Sequence, residues 1–455
     1  MKKSLGILGL ITLLWACNGP VVKEAEPVDT DTTALLKHPE WSDHSSIYEV
    51  NIRQYTPEGT FNAFKEHLPR LKELGVEILW IMPVQPIGEK NRKGKLGSYY
   101  SIKDYTAVNP EFGTMQDFKA LVNGAHSMGF KIILDWVGNH SAWDHPWMEK
   151  HPDWYTRNDA GEVVPPVEDW FDVADLNYDA PGMQKEMMNA LKFWVKETDI
   201  DGYRCDVAGM VPMDFWDRAR QSLDSIKPVF MLAEAEGPEF HAQAFDMTYG
   251  WEFHHIMNQV AKGEEPVSAL DTYLAKMDTL YPAGAYRMYF TTNHDENSWN
   301  GTIAERMGAN HKNFFVLATT FPYGMPLIYS GQEAGLNKRL AFFDKDTINW
   351  KQDTSLFEFY QQMIRLKSEH DALANGTEQG DFERVPTDDT SKMYAYVRSK
   401  GDDKMLVVLN FSDQPAELKY KGIKGNTDLM AGRAEKGTQE GSVKVAAHDF
   451  TIIRL

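Results

Sequence analysis

The chain of 455 residues is longer than one compact domain needs, and its 42% hydrophobic content supplies a sizeable core. A net charge of −19 excludes nucleic acid as a partner, because a phosphate backbone is bound by basic patches. Two cysteines exclude a disulfide framework, and no His/Cys cluster with zinc-ligand spacing is present.

The N-terminus opens on Met1-Lys2-Lys3 and runs into a mostly apolar stretch over 5–16, short for a bilayer span and suited to an export signal. It ends in Leu14-Trp15-Ala16-Cys17, which resembles a bacterial lipobox. Residues 1–17 are expected to be a lipoprotein signal peptide with Cys17 lipidated, and 18–40, rich in Pro, Thr, Asp and Glu, a tether. The expectation is an exported protein of the bacterial cell envelope that meets a membrane only through its lipid anchor. From residue 46, β-rich runs over 47–53, 78–83, 132–137, 202–207, 229–234, 244–248, 288–292 and 326–329 alternate with helical spacing over 63–74, 115–128, 183–196, 213–226, 304–320 and 356–369. Eight strands alternating with helices predict an α/β (β/α)8 TIM barrel over 41–372. No Gly-rich phosphate fingerprint supports a nucleotide fold. Residues 140–181, crowded with Trp, Pro, Asp and His, are too long for a plain connection and predict an inserted subdomain over the barrel mouth. After residue 373 strands at 393–397, 405–410 and 450–455 follow without helices, so 373–455 is expected to be an all-β sandwich domain.

Barrel enzymes place their reacting groups at the C-terminal ends of strands. The third strand runs into Asp135-Trp136-Val137-Gly138-Asn139-His140, and the fourth ends in Gly202-Tyr203-Arg204-Cys205-Asp206. The fifth gives Ala233-Glu234-Ala235-Glu236, and Asn293-His294-Asp295 follows the seventh. Strand alternation puts Arg204 and Asp206 on one face, so polar strand ends in register predict one acid-lined cleft. Glycosidic cleavage needs a proton donor and a carboxylate facing the oxocarbenium-like carbon, about 5–5.5 Å apart in retaining enzymes. An arginine two residues before Asp206 keeps that acid ionised, as a nucleophile requires. Its partner has to hold a proton near neutral pH. Glu234 fits that role, with Glu236 on the same face as its rival. Cys205 reads as a buried small hydrophobe.

Together these segments resemble the signature regions of the α-amylase family, glycoside hydrolase family 13, from Ile47 to the chain end. The resemblance implies Asp206 as nucleophile, Glu234 as acid/base and Asp295 as transition-state stabiliser, with Arg204 beside them and His140 and His294 on hydroxyls of the cleaved sugar. In the run from Gly97 to Tyr105, Tyr100 matches the aromatic platform under that sugar and Asp104 the acid near the barrel mouth. Asn139 and Asp175 match two ligands of a structural Ca2+, with Glu162, Glu168, Asp169 and Asp172 as further carboxylates in the same loop. No organic cofactor is implied. Trp143, Trp147, Trp154 and Trp170 are either sugar platforms or core.

The chain departs from its starch-degrading relatives after Asp206. They carry a Lys-His pair at the third and fourth positions, where this chain has Gly209-Met210. Val207 resembles the oligo-1,6-glucosidase and neopullulanase-like branches. The expected substrate is therefore a short malto-oligosaccharide, a cyclodextrin or a mixed α-1,4/α-1,6 glucan, and the expected reaction is retaining hydrolysis. A glucanotransferase or a sucrose- or trehalose-acting transglycosidase shares every catalytic residue. A non-catalytic glycan-binding relative would have lost the acids that are present here.

Overall fold

The computed structural model describes residues 36–351, 354–420, 427–430 and 441–455. Cys17, the expected signal peptide and nearly all of the expected tether lie outside the described residues. Eight strands close a parallel barrel: β1 (Ile47–Val50), β2 (Ile78–Ile81), β3 (Lys131–Val137), β4 (Gly202–Asp206), β5 (Phe230–Ala233), β6 (Met247–Tyr249), β7 (Tyr286–Phe290) and β8 (Gly324–Tyr329). Each pairs with the next, and β8 returns to β1 with Leu327 opposite Ile47. The strands read mostly apolar because both faces are covered, with charged exceptions such as Glu49, Asp135, Arg204 and Arg287. In β2, Ile78 and Trp80 join the cluster that fills the lumen, while Leu79 and Ile81 face the surrounding shell. The lumen is thus a packed floor of Ile47, Ile133, Phe230, Leu232, Met288 and Leu327 among others, and the chemistry is confined to the mouth above it.

All eight predicted strands are present, with shifted ends. The sixth starts at Met247; Asp246 before it pairs with Arg220 at 2.7 Å and is hydrogen-bonded to the His38 ring at 2.8 Å. Two predicted helices are each divided. Residues 63–74 fall into Phe61–Lys65 and Leu68–Leu74, with Pro69 in the first turn of the second, where its missing N–H leaves no bond unmade. Residues 304–320 fall into Ile303–Met307 and His311–Thr320, parted at Gly308 with a φ of 53°.

Between β3 and β4 the chain leaves the barrel, and His140–Ala142 pairs antiparallel with Val173–Asp175 at the base of the excursion. Trp147 and Trp154 pack edge to face on each other, and Tyr105 lies against Trp147. These two tryptophans form a local core, whereas Trp170 turns its ring to His140 and Trp143 donates to the Phe171 carbonyl.

At the C-terminal end, Asp381–Val385, Met393–Lys400, Asp403–Asn410, Asp449–Arg454 and Thr427–Asp428 form one antiparallel sheet in that order. Ala416–Lys419 and Ser442–Val445 form a second. Val385, Ala395, Leu406 and Val408 of the first meet Leu418, Val443 and Val445 of the second. The opposite face, with Tyr394, Tyr396, Val407 and Leu409, belongs to the main core shared with the barrel helices.

Candidate active site

Arg204, on β4, is the hub of the barrel mouth. It is fully buried, with the rings of Trp80, Tyr249 and Tyr100 at 5.0, 5.6 and 5.7 Å from its guanidinium carbon. Nη1 donates to Asp135 Oδ1 at 2.8 Å and to Asp206 Oδ1 at 3.0 Å. Nη2 lies 2.8 Å from Glu234 Oε2, and Nε donates to the Tyr249 hydroxyl at 3.1 Å. Burial opposes the cation, but the Asp135 and Glu234 carboxylates outweigh it and hold the guanidinium firmly charged. Alternation along β4 therefore brings Arg204 and Asp206 together as predicted. The same side chain also reaches Glu234, just beyond β5. Beside this ion pair, Glu234 Oε2 accepts a hydrogen bond from the Val207 N–H at 2.7 Å. Val207 has a φ of 35°, a left-handed conformation that costs a β-branched residue about 1–3 kcal/mol and marks a functional turn.

The second half of the mouth is built on His294 and Asp295, which follow β7. Tyr100 donates its only hydroxyl proton to Asp135 Oδ2 at 3.1 Å, so its oxygen is left to accept from His294 Nε2 at 2.8 Å. Nδ1 of the same ring lies 2.5 Å from Glu49 Oε1, on β1. Both nitrogens donate, and the ring is an imidazolium. Burial pulls the proton off, but Asp295, with Oδ2 3.3 Å from Nε2, and Glu49 outweigh it and raise the pKa to about 9. His140, across the mouth, has no such partner, and burial pushes it down to about 3.

These groups line a cleft of about 230 Å3, with Tyr100, His140, Asp206, Val207, Glu234, His294 and Asp295 among its walls. Burial raises both Asp206, well above the usual carboxylate range, and Glu234; Arg204 opposes this in both, and Asp295 adds to it. Five carboxyl groups (Glu49, Asp135, Asp206, Glu234 and Asp295) share two cations, Arg204 and His294.

Three expectations are corrected. Asp104 is not brought to the cleft. Its carboxylate accepts from the backbone and hydroxyl of Thr106 at 2.9 and 3.0 Å and faces a separate hollow lined by Trp147 and Phe193. Glu236 does not line the cleft; its carboxylate turns to Arg287 and accepts from the Glu252 N–H. Asp172 turns away from Asn139 to pair with Lys93 at 3.0 Å inside the cleft.

For a calcium ion the fit is partial. Asn139 and Asp175 do lie together, 3.4 Å apart, in a hollow that Asp179 and Met210 also line. Glu162 is engaged by Asn158 at 3.2 Å, and Glu168 and Asp169 are exposed. No group of three or more His, Cys, Asp or Glu able to hold a metal occurs among the described residues. Backbone carbonyls and water have to complete the six to eight oxygens of a Ca2+ shell.

Several residues of the mouth escaped the sequence reading: Glu49, Trp80, Tyr249, Lys93, Trp299 and the pair Phe342-Phe343. Glu49 carried a signal, a lone charge inside the apolar run Ile47-Tyr48-Glu49-Val50. The two phenylalanines sit in a loop after β8 that has no periodicity to read.

A buried arginine shared by three acids at the mouth of a (β/α)8 barrel defines a class, the barrel glycosidases that work through paired carboxyl groups. Residues 29–173 and 167–349 match the alpha amylase catalytic domain, and 382–452 match the maltogenic amylase C-terminal domain. The chain belongs to the α-amylase family, glycoside hydrolase family 13. It is 27% identical over 436 residues to the alpha-amylase MalA of Haloarcula japonica, covering 91% of this chain and 62% of that protein. It is 29% identical over 384 residues to a cyclomaltodextrinase of a Bacillus species, covering 77% of this chain and 65% of that protein. This chain thus spans under two thirds of the length of both. An alpha-amylase structure from Lactobacillus plantarum superposes with a TM-score of 0.83 at 30% identity, over 90% of this chain and 99% of that one.

Proposed function

We propose that the chain is a retaining hydrolase of α-glucosidic bonds, mainly α-1,4, in short malto-oligosaccharides. The observation that carries this reading is Arg204, bound at once to Asp135, Asp206 and Glu234 in a cleft that also holds His294 and Asp295. Burial works against the charge on Asp206, and the Arg204 Nη1 bond at 3.0 Å opposes that effect; in this reading Asp206 attacks the anomeric carbon as the carboxylate while Glu234, whose pKa burial also raises, passes its proton to the departing oxygen. Glu234 then takes a proton from water, which attacks on the face the leaving group vacated, opposite Asp206, releases the Asp206 carboxylate and restores the α configuration. The Asp295 carboxylate faces the positive charge that develops on the sugar ring, and His294, 3.3 Å from Asp295 Oδ2, holds that carboxylate in place. Tyr100, stacked on His294 at 5.4 Å, lies beneath the ring.

The leaving-group side supports short substrates. A side chain at Gly209 would touch only Ala235 and Phe240, each at 3.8 Å, and Met210 is 44% exposed. Neither supplies the cation and imidazole with which long-starch enzymes hold that end. Calcium belongs to the same proposal, held by Asn139 and Asp175 with carbonyls and water. Burial raises the Asp175 carboxyl, and a bound cation would return it to the ionised form. Chelation by EDTA is expected to lower the melting temperature, with recovery on adding Ca2+; an unmoved melting curve ends that part of the reading.

Incubation with maltoheptaose, isomaltose, pullulan and trehalose, with products separated by chromatography and anomers followed by NMR, tests the activity. Maltoheptaose is expected to be cleaved with the α-anomer formed first. A β-anomer as first product overturns retention.

A further inference from the structure

The walls of the cleft are unequal around the barrel. On the arc formed by β4 and β5, Asp206, Val207 and Glu234 are followed by Gly209 and Met210, which build no wall. The arc running from the excursion after β3, through the loops after β2 and β8, to the loop after β7 is closed by continuous contact. Its keystone is Lys93, in the loop that leads from β2 to Tyr100. Lys93 Nζ donates to the Asp169 carbonyl at 2.7 Å and pairs with Asp172 Oδ1 at 3.0 Å, both in the excursion. The same ammonium lies 4.7 Å from the Phe171 ring and 6.0 Å from the Phe343 ring. The loop is also pinned to the segment after β8. Leu96 N–H donates to the Phe343 carbonyl at 3.0 Å and Lys95 N–H to Asp344 Oδ1 at 3.2 Å. Gly94, at a φ of 63°, lets the backbones close, since a Cβ there would stand 2.5 Å from Phe343 Cβ. Phe342 continues the wall, stacked 6.2 Å from Tyr100 and 5.2 Å from Trp299.

We propose that this strap, Lys93 bridging Asp172 and Phe343, makes the glycone end of the cleft blind, so the enzyme takes linear α-glucans by a free non-reducing end and releases short products from it. The proposal rests on the hydrolase reading above, which sets the leaving group beside Glu234 and the open β4–β5 arc and therefore directs the glycone toward the strapped arc. A chain that continues past the strap, and a ring that has no end, meet the bridge as a barrier.

The test compares maltoheptaose with maltoheptaose carrying a 4,6-O-ethylidene group on its non-reducing glucose, with α-cyclodextrin as the closed-ring probe. For the wild-type enzyme kcat/KM is expected to favour the free end by about 100-fold or more, since steric exclusion from a closed site discriminates at that level. Lys93→Ala and Asp172→Ala are each expected to cut the ratio about 10-fold or more and to lengthen the products. Lys93→Met keeps the stem packing without the charge and is expected to do the same. Equal turnover of blocked and free substrate by the wild type, or cyclodextrin turned over as fast as maltoheptaose, overturns the strap and leaves the hydrolase intact. Turnover of none of the three overturns both.

Discussion

Glu49 controls a charge on which the mouth depends. Its carboxylate sits 2.5 Å from His294 Nδ1 and is buried with it. The histidine is cationic below about 9 and loses that charge as pH rises through this value. In Glu49→Gln the carboxylate is gone, burial still opposes the cation, and the pKa must fall. The His294 imidazole resonances, followed by NMR, are therefore expected to titrate near pH 9 in the wild type and lower in the variant by about one unit or more, each unit being about 1.4 kcal/mol of differential interaction. A His294 titration unmoved by the substitution, with only the melting temperature changed, would assign Glu49 a purely structural role. This residue shows where sequence reading stops. Asp206, Glu234 and Asp295 announce themselves as acids at strand ends, because the barrel puts strand ends in one place. Glu49 lies within a strand, and its partner is 245 positions away. Asp104 failed in the opposite sense: it follows a recognisable motif, yet its carboxylate is satisfied locally by Thr106.

At the scale of elements, the helix Thr354–Glu369 is fastened to β8 by a buried lysine. Lys367 Nζ donates to the Gly324 carbonyl at 2.8 Å, and burial holds its pKa well below the ordinary lysine value, with Arg398 adding to the effect. The unfolded chain binds a proton at Lys367 that the folded chain does not, so this group makes stability rise as pH climbs toward about 10.4, the ordinary lysine pKa. Lys367→Met removes that linkage at the cost of one hydrogen bond, about 1 kcal/mol. The urea midpoint of the variant is expected to exceed that of the wild type at pH 7, with the gain shrinking toward pH 10. A loss that is constant across pH would contradict it. Elements of this kind were legible in the sequence where burial is two-sided, as in Ile78–Ile81, since continuous apolar runs bounded by helical spacing admit few other readings. The breaks at Pro69 and Gly308 were not, because helical spacing was read straight across both, nor was the short strand Ala416–Lys419, which forms by pairing with Ser442–Val445.

For the whole molecule, barrel and C-terminal sheets share one core. Arg398 Nη1 donates to the Thr320 carbonyl at 2.7 Å, and Asn313 Nδ2 to the Asn410 carbonyl at 2.9 Å. The C-terminal sheets thereby brace the helix His311–Thr320, which packs on β8 behind the mouth, and the excursion after β3 roofs the mouth from the other side. The whole arrangement holds Asp206 on Arg204 and aims it into the cleft. Incubation with 5-fluoro-α-maltosyl fluoride, which forms the glycosyl-enzyme faster than water releases it, followed by mass mapping of the peptides, interrogates that placement directly. A single maltosyl adduct is expected on the peptide carrying Asp206, and none on the Asp206→Asn variant. An adduct on Glu234, Glu236 or Asp295, or cleavage of maltoheptaose by Asp206→Asn at the wild-type rate, would contradict it.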